Sequence, residues 1–150
     1  MKKSFDSEKS ILLVEDDPLV AICFTNVIES LSYDCIRVGS IAQAWSACKA
    51  RRFAMVVCDH DLPDGKGIVL VEMMLRTRMT TPVLYVSAAA PTVLDVLRTY
   101  PNVKDVLSKP TEKETLADAI SSPLEKQADP KFWLFRIASL TSESLLETSF

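Results

Sequence analysis

The chain contains short apolar runs that stop abruptly at a polar residue: "ILLV" at residues 11–14 before Glu15, "MVVC" at 55–58 before Asp59, and "PVLYV" at 82–86 before Ser87. Runs this short, unbroken and without alternation read as strands covered on both faces. The segments between them keep helical spacing. Asp17 and Pro18 form an N-cap followed by a helix-first proline, and Val20, Cys23, Phe24, Val27, Ile28 and Leu31 continue on one helical period. A second strand is predicted over 33–38, and Ser40 is placed to cap a helix whose face is Ile41, Ala44, Trp45 and Cys48. After Asp59 a turn-rich loop with Pro63, Gly65 and Gly67 leads into a helix over 69–79. A short helix near 92–99, a weaker strand near 104–107 and a Thr111-capped helix at 112–120 complete the pattern. Strands and helices that alternate in this way form a parallel sheet with helices on both faces. Right-handed crossovers make that sheet doubly wound, an α/β fold whose ligands bind beyond the carboxyl ends of the strands.

Composition narrows the function. A hydrophobic share of 48% over 150 residues suffices for one buried core. No apolar run reaches the ~18–20 residues of a membrane span, and "MKKSFDSEKS" lacks the apolar stretch of a secretory signal. A net charge of −3 without a basic stripe argues against direct nucleic-acid binding. Cys23, Cys35, Cys48 and Cys58 form no ligand-like spacing and read as structural thiols of a reducing cytosol. A cytoplasmic location is therefore expected.

The residues that follow each strand carry the chemistry. Glu15, Asp16 and Asp17 follow the first, Asp59 the third, Ser87 the fourth and Lys109 the fifth, and a parallel sheet brings these ends to one edge. Asp59, Asp61 and Asp64 lie close together in one loop, where unpaired carboxylates raise one another's pKa. Hard carboxylate oxygens suit Mg²⁺, which takes few protein ligands plus water and phosphate oxygens. A lysine neutralises an anion and a hydroxyl donates to a phosphoryl oxygen. Phosphoryl transfer needs little beyond such positioning and charge neutralisation. Plainer roles fit Asp17 as an N-cap, Asp64 in the turn with Gly65, Trp45 in the core and His60 as a solvent-facing loop residue.

"ILLVEDDP", "VVCDHDLPDGKGI", "PVLYVSA" and "VLSKP" together resemble, in order and spacing over residues 10–121, the signature segments of two-component response-regulator receiver domains. The resemblance implies a flavodoxin-like five-stranded parallel sheet of order 2-1-3-4-5. It implies Asp59 as phosphoacceptor, fed by a sensor histidine kinase, a phosphotransfer protein or a small acyl phosphate. Asp16 would then be a direct Mg²⁺ ligand, Glu15 would act through water, and Asp61 would offer its backbone carbonyl. Ser87 would be the switch hydroxyl, and Lys109 the lysine on the phosphoryl group. It implies a stand-alone switch that signals through an unnamed downstream protein, and an enzyme only toward its own phosphorylation and dephosphorylation.

Some positions depart from the family pattern. Val106 stands where many receivers carry an aromatic residue three places before the lysine, so the usual coupling of ring and hydroxyl lacks its ring at that position. Ala89, two past Ser87, cannot position water, which points to slow hydrolysis of the acyl phosphate. Residues 1–9 are expected to be loose. Residues 122–150 are expected to form a short helical extension, with Phe132, Trp133, Leu134, Phe135, Ile137 and Leu140 as an apolar cluster that folds back or serves a homodimer or partner interface. Two other functions fit parts of the chain. Asp59-His60-Asp61 is the D-x-D of a haloacid-dehalogenase-like phosphatase, and a receiver scaffold can also serve as an interaction module that works without phosphorylation.

Overall fold

The computed structural model describes residues 7–128 and 131. Its chain order is a 3₁₀ turn (Ser7–Lys9), β1 (Ser10–Val14), α1 (Pro18–Ser30), β2 (Asp34–Val38), α2 (Ile41–Ala50), β3 (Met55–Asp59), two very short strands β4 (Asp61–Leu62) and β5 (Gly65–Lys66), α3 (Ile68–Arg76), β6 (Val83–Ser87), α4 (Pro91–Leu97), β7 (Val103–Ser108) and α5 (Lys113–Ala128). The long strands pair in parallel in the order β2-β1-β3-β6-β7. This is the expected 2-1-3-4-5 once the antiparallel β4–β5 hairpin is set aside.

The unbroken apolar runs have a simple cause. Every residue of β1, β3 and β6 is buried, whereas the flanking strands β2 and β7 are partly open. Alternate side chains feed two cores. Leu12, Val14, Val56, Cys58, Tyr85 and Val106 pack with α2, α3 and α4. Ile11, Leu13, Val57, Leu84, Val86 and Leu107 pack with α1 and α5. Two of the three caps read from the sequence form as expected. Asp17 Oδ1 accepts from the Leu19 and Val20 N–H groups at 2.9 and 3.3 Å, and Ser40 Oγ accepts from Gln43 N–H at 3.1 Å.

The last helix differs from the sequence reading. It does not stop at Ile120 but runs through Pro123 to Ala128, so the boundary expected after residue 121 falls inside α5. A proline within a helix costs about 3 kcal/mol. Against this, the stripe Leu116, Ala119, Ile120 and Leu124 stays buried in the α1–α5 core across the proline, and a buried leucine contributes about 2 kcal/mol. Thr111 does not cap this helix; its hydroxyl donates back to the Ser108 carbonyl at 2.8 Å. At the other end, Ser7–Lys9 already form a turn and Ser10 is fully buried. The apolar cluster 132–140 and the interface expected of it lie outside the described residues. No helix among the described residues is long and apolar enough to cross a membrane.

Candidate functional site

The carboxyl ends of β1, β3, β6 and β7 bring the expected residues together. Asp59 is the last residue of β3 and only 7% exposed; Glu15, just past β1, is 2% exposed. Glu15, Asp16 and Asp59 can each offer a carboxylate oxygen such that all three lie within 4.8 Å of one another, with Asp16 on the open side. Lys109, following β7, reaches across the edge, its Nζ 2.7 Å from Glu15 Oε2 and 3.1 Å from Asp59 Oδ1. The Lys109 backbone N–H donates to the Ser87 carbonyl at 2.8 Å, which ties the lysine to the end of β6. Ser87 itself is fully buried, and its Oγ accepts from the Ala89 N–H at 2.8 Å.

The charges explain the arrangement. Burial pushes the Glu15 carboxyl above the usual carboxylate range, and the nearby Asp59 charge adds to this. The bonds from Lys109 and from the Asp17 N–H only partly offset it. Burial alone would lower the Lys109 ammonium, but its bonds to Glu15 and Asp59 outweigh that and hold it above the ordinary lysine value. A pair of like charges about 4–5 Å apart repels by roughly 3–4 kcal/mol at an effective dielectric near 20. One ammonium against three carboxylates leaves this pocket clearly negative. An all-oxygen acidic set with an open side fits a hard divalent cation such as Mg²⁺.

The other acidic residues of the loop have separate work. The Asp61 carboxylate is exposed and paired with Lys66 across the β4–β5 hairpin, so its side chain stands apart from the cluster. The Lys66 bond holds this carboxyl below its usual range. Asp64 does more than serve the turn. Its carboxylate oxygens accept from the Ile41 and Ala42 N–H groups at 2.9 and 3.0 Å, fastening the hairpin to the start of α2.

Other features escaped the sequence reading. His60 is not a solvent-facing loop residue: its Nδ1 lies 2.7 Å from the hydroxyl of the fully buried Tyr85. A side chain at Gly67 would place its Cβ 2.1 Å from the Asp59 carbonyl oxygen, so only glycine lets the chain pass behind Asp59. The sequence held a clue to the first, because a buried tyrosine needs a partner for its hydroxyl. It held none for the second, since the close approach is tertiary. Of the cysteines, Cys58 is buried and Cys23 is exposed, so the expectation of buried thiols fails at Cys23. Burial pushes the Cys48 thiol up to about 11.

Comparison with known proteins agrees with this geometry. A family profile described as "Response regulator receiver domain" matches residues 11–121. The DNA-binding response regulator MtrA of Mycolicibacterium smegmatis is 29% identical over 119 residues, covering 79% of this chain and 52% of MtrA. The chain thus spans about half the length of the curated relatives it matches. Among solved structures, the signal receiver domain of a putative Luxo repressor protein from Vibrio parahaemolyticus superposes with a TM-score of 0.76 at 20% identity, covering 87% of this chain and 96% of that one. A CheY-like receiver domain protein from Methanospirillum hungatei gives 0.73 at 22% identity, covering 80% and 96%. At these identities the superpositions speak to the fold.

Proposed function

The chain belongs to the response regulator receiver family, and on that premise we propose that it is a switch operated by phosphorylation of Asp59. The observation that carries this reading is the buried Asp59 carboxylate held between an acidic pair and Lys109 at one sheet edge. A carboxylate oxygen of Asp59 attacks the phosphorus of a phosphohistidine. The P–O bond forms as the P–N bond breaks, and the departing imidazole keeps the electron pair and is protonated from solvent. Before transfer, Lys109 holds Asp59 and Glu15 in place; afterwards its ammonium pairs with the new phosphoryl oxygens. Glu15, Asp16, Asp59 and the Asp61 carbonyl would hold Mg²⁺, which when bound neutralises the charge that gathers on the phosphoryl group.

Ser87 supplies the conformational response. Its hydroxyl is free to donate, since the bond it makes here is one it accepts from Ala89. A phosphoryl group on Asp59 offers that hydroxyl an acceptor, and the β6–α4 loop follows it. The new group brings about −1.5 to −2 charges if the phosphoserine figure applies, enough to bias a two-state surface toward or away from a protein partner. The donor is a sensor histidine kinase or phosphotransfer protein, the target is a further protein, and no external substrate is turned over. Asp61, lying on Lys66 and away from Asp59, gives no support to the phosphatase reading.

The test is transfer from a radiolabelled phosphohistidine protein in the presence of Mg²⁺. Label should pass to the wild type and not to Asp59→Asn, and chelator should stop it. Equal labelling of the Asp59→Asn variant would defeat the proposal.

A further inference from the structure

Tyr85 and His60 take no part in the chemistry just described, yet they lie beside it. Tyr85 sits at the centre of β6, fully buried in the α2–α4 layer. Packing alone asks only for an apolar ring there, and a buried hydroxyl costs about 1–3 kcal/mol if left unpartnered. This one has a partner: His60 Nδ1 lies 2.7 Å from the phenolic oxygen. The rings meet edge to face at 5.7 Å and 62°.

His60 is the residue between Asp59 and Asp61, and its main chain is as firmly held as its ring. Its N–H donates to the Val86 carbonyl at 3.1 Å, and its carbonyl accepts from Gly67 N–H at 2.8 Å. The short link from the acceptor carboxylate to the Asp61 carbonyl is therefore fixed at three points, two of them on β6. Tyr85 lies two residues before Ser87, on the same face of that strand. Its register partners are Cys58 on β3 and Val106 on β7. Gly67 leaves room for the phenol, since a Cβ there would come within 3.1 Å of its oxygen.

We propose that Tyr85 is a positioning residue of the phosphoacceptor site, acting through His60 to hold the main chain that carries both the Asp59 carboxylate and the Asp61 carbonyl. The inference rests on the functional reading above. Groups that orient the ligands of a metal or reacting centre typically matter by about 10–100-fold in affinity or rate. Tyr85→Phe keeps the ring and removes only the hydroxyl, while His60→Ala removes the other half of the bond. Each should weaken Mg²⁺ binding and slow phosphorylation by acetyl phosphate by about 10-fold. The double variant should be no worse than either single one, because both remove the same interaction. His60→Asn, whose side-chain amide offers both an acceptor and a donor to the phenol, should restore most of the loss.

The measurements are Mg²⁺ titration calorimetry, the initial rate of adduct formation by intact mass, and melting without Mg²⁺ to verify that every variant is folded. Were Tyr85→Phe to fail to fold, His60→Ala and His60→Asn would still decide the matter. Additive losses, or wild-type Mg²⁺ affinity and rate in both single variants, would overturn the inference and leave the switch intact. A wild-type chain that neither binds Mg²⁺ nor takes up phosphoryl would instead overturn the functional reading, and this inference with it.

Discussion

Replacing Gly67 by alanine is the sharpest structural test of how the main chain at Asp59 is held. An ideal Cβ at this position meets the Asp59 carbonyl oxygen at 2.1 Å, Cys58 Sγ at 2.9 Å and Tyr85 Oη at 3.1 Å. Side-chain carbons do not approach closer than 3.0 Å, so the backbone must part by about 1 Å. The obstacle is main chain at the end of β3 with buried neighbours, so no flexible side chain can simply swing aside. Overpacking costs about 1–3 kcal/mol, and a backbone obstacle puts this site at the upper end, about 3 kcal/mol. At ~2–4 °C per kcal/mol for a domain of this size, Tm should fall by about 6–12 °C. The other glycines provide internal standards. Gly65 has φ of +145° but meets only Ile41 Cδ1 at 3.4 Å, so alanine there bears backbone strain alone, about 1–2 kcal/mol. Gly39 has nothing nearer than 3.8 Å, and its alanine variant should stay within ~0.5 kcal/mol of wild type. Thermal unfolding by circular dichroism orders the three. Equal midpoints for Gly67→Ala and Gly39→Ala would refute the close approach, and with it the claim that the hairpin is pressed against the end of β3.

Other expectations follow from the same geometry. Asp64→Ala should lower Tm at neutral pH, because the Ile41 and Ala42 N–H groups lose their acceptors. Those bonds depress the Asp64 carboxyl below its ordinary value of 3.8, so its contribution is present above that pH and is lost as pH falls through the lower folded value. The gap between the two melting curves should therefore be full at pH 7 and close in acid; a gap independent of pH would contradict the capping role. Mg²⁺ at ten times its dissociation constant should raise stability by about 1.4 kcal/mol, and Asp16→Asn should abolish the rise in melting scans; a rise of the same size in that variant would remove Asp16 from the ligand set. The acyl phosphate should be long-lived, since Asp61 is held by Lys66 and Ala89 carries no group to orient water. A lifetime of seconds, followed by intact mass after donor removal, would contradict this.

How far the sequence could be read depended on the range of the interaction. The strands were legible because burial on both faces leaves a local mark, an unbroken apolar run, and the caps at Asp17 and Ser40 act within a few residues. The acidic edge was legible for a topological reason. A parallel sheet aligns its strand ends, so Glu15 and Lys109 could be brought together across 94 positions without knowing a single distance. What escaped was tertiary pairing with no local signature. The bond of His60 to Tyr85, the seat of Asp64 on α2 and the passage of Gly67 behind Asp59 each join segments whose own patterns are unremarkable. The end of the last helix also lay beyond local reading: the stripe Leu116, Ala119, Ile120 and Leu124 stays buried across Pro123 and carries α5 past Ile120.

The central claim is that Asp59 accepts a phosphoryl group, and intact-mass spectrometry after incubation with Mg²⁺ and acetyl phosphate tests it most directly. The account predicts a single phosphoryl adduct on the wild type that is absent from Asp59→Ala and absent when Mg²⁺ is chelated. An adduct that persists in Asp59→Ala, or forms equally without a divalent cation, would contradict it.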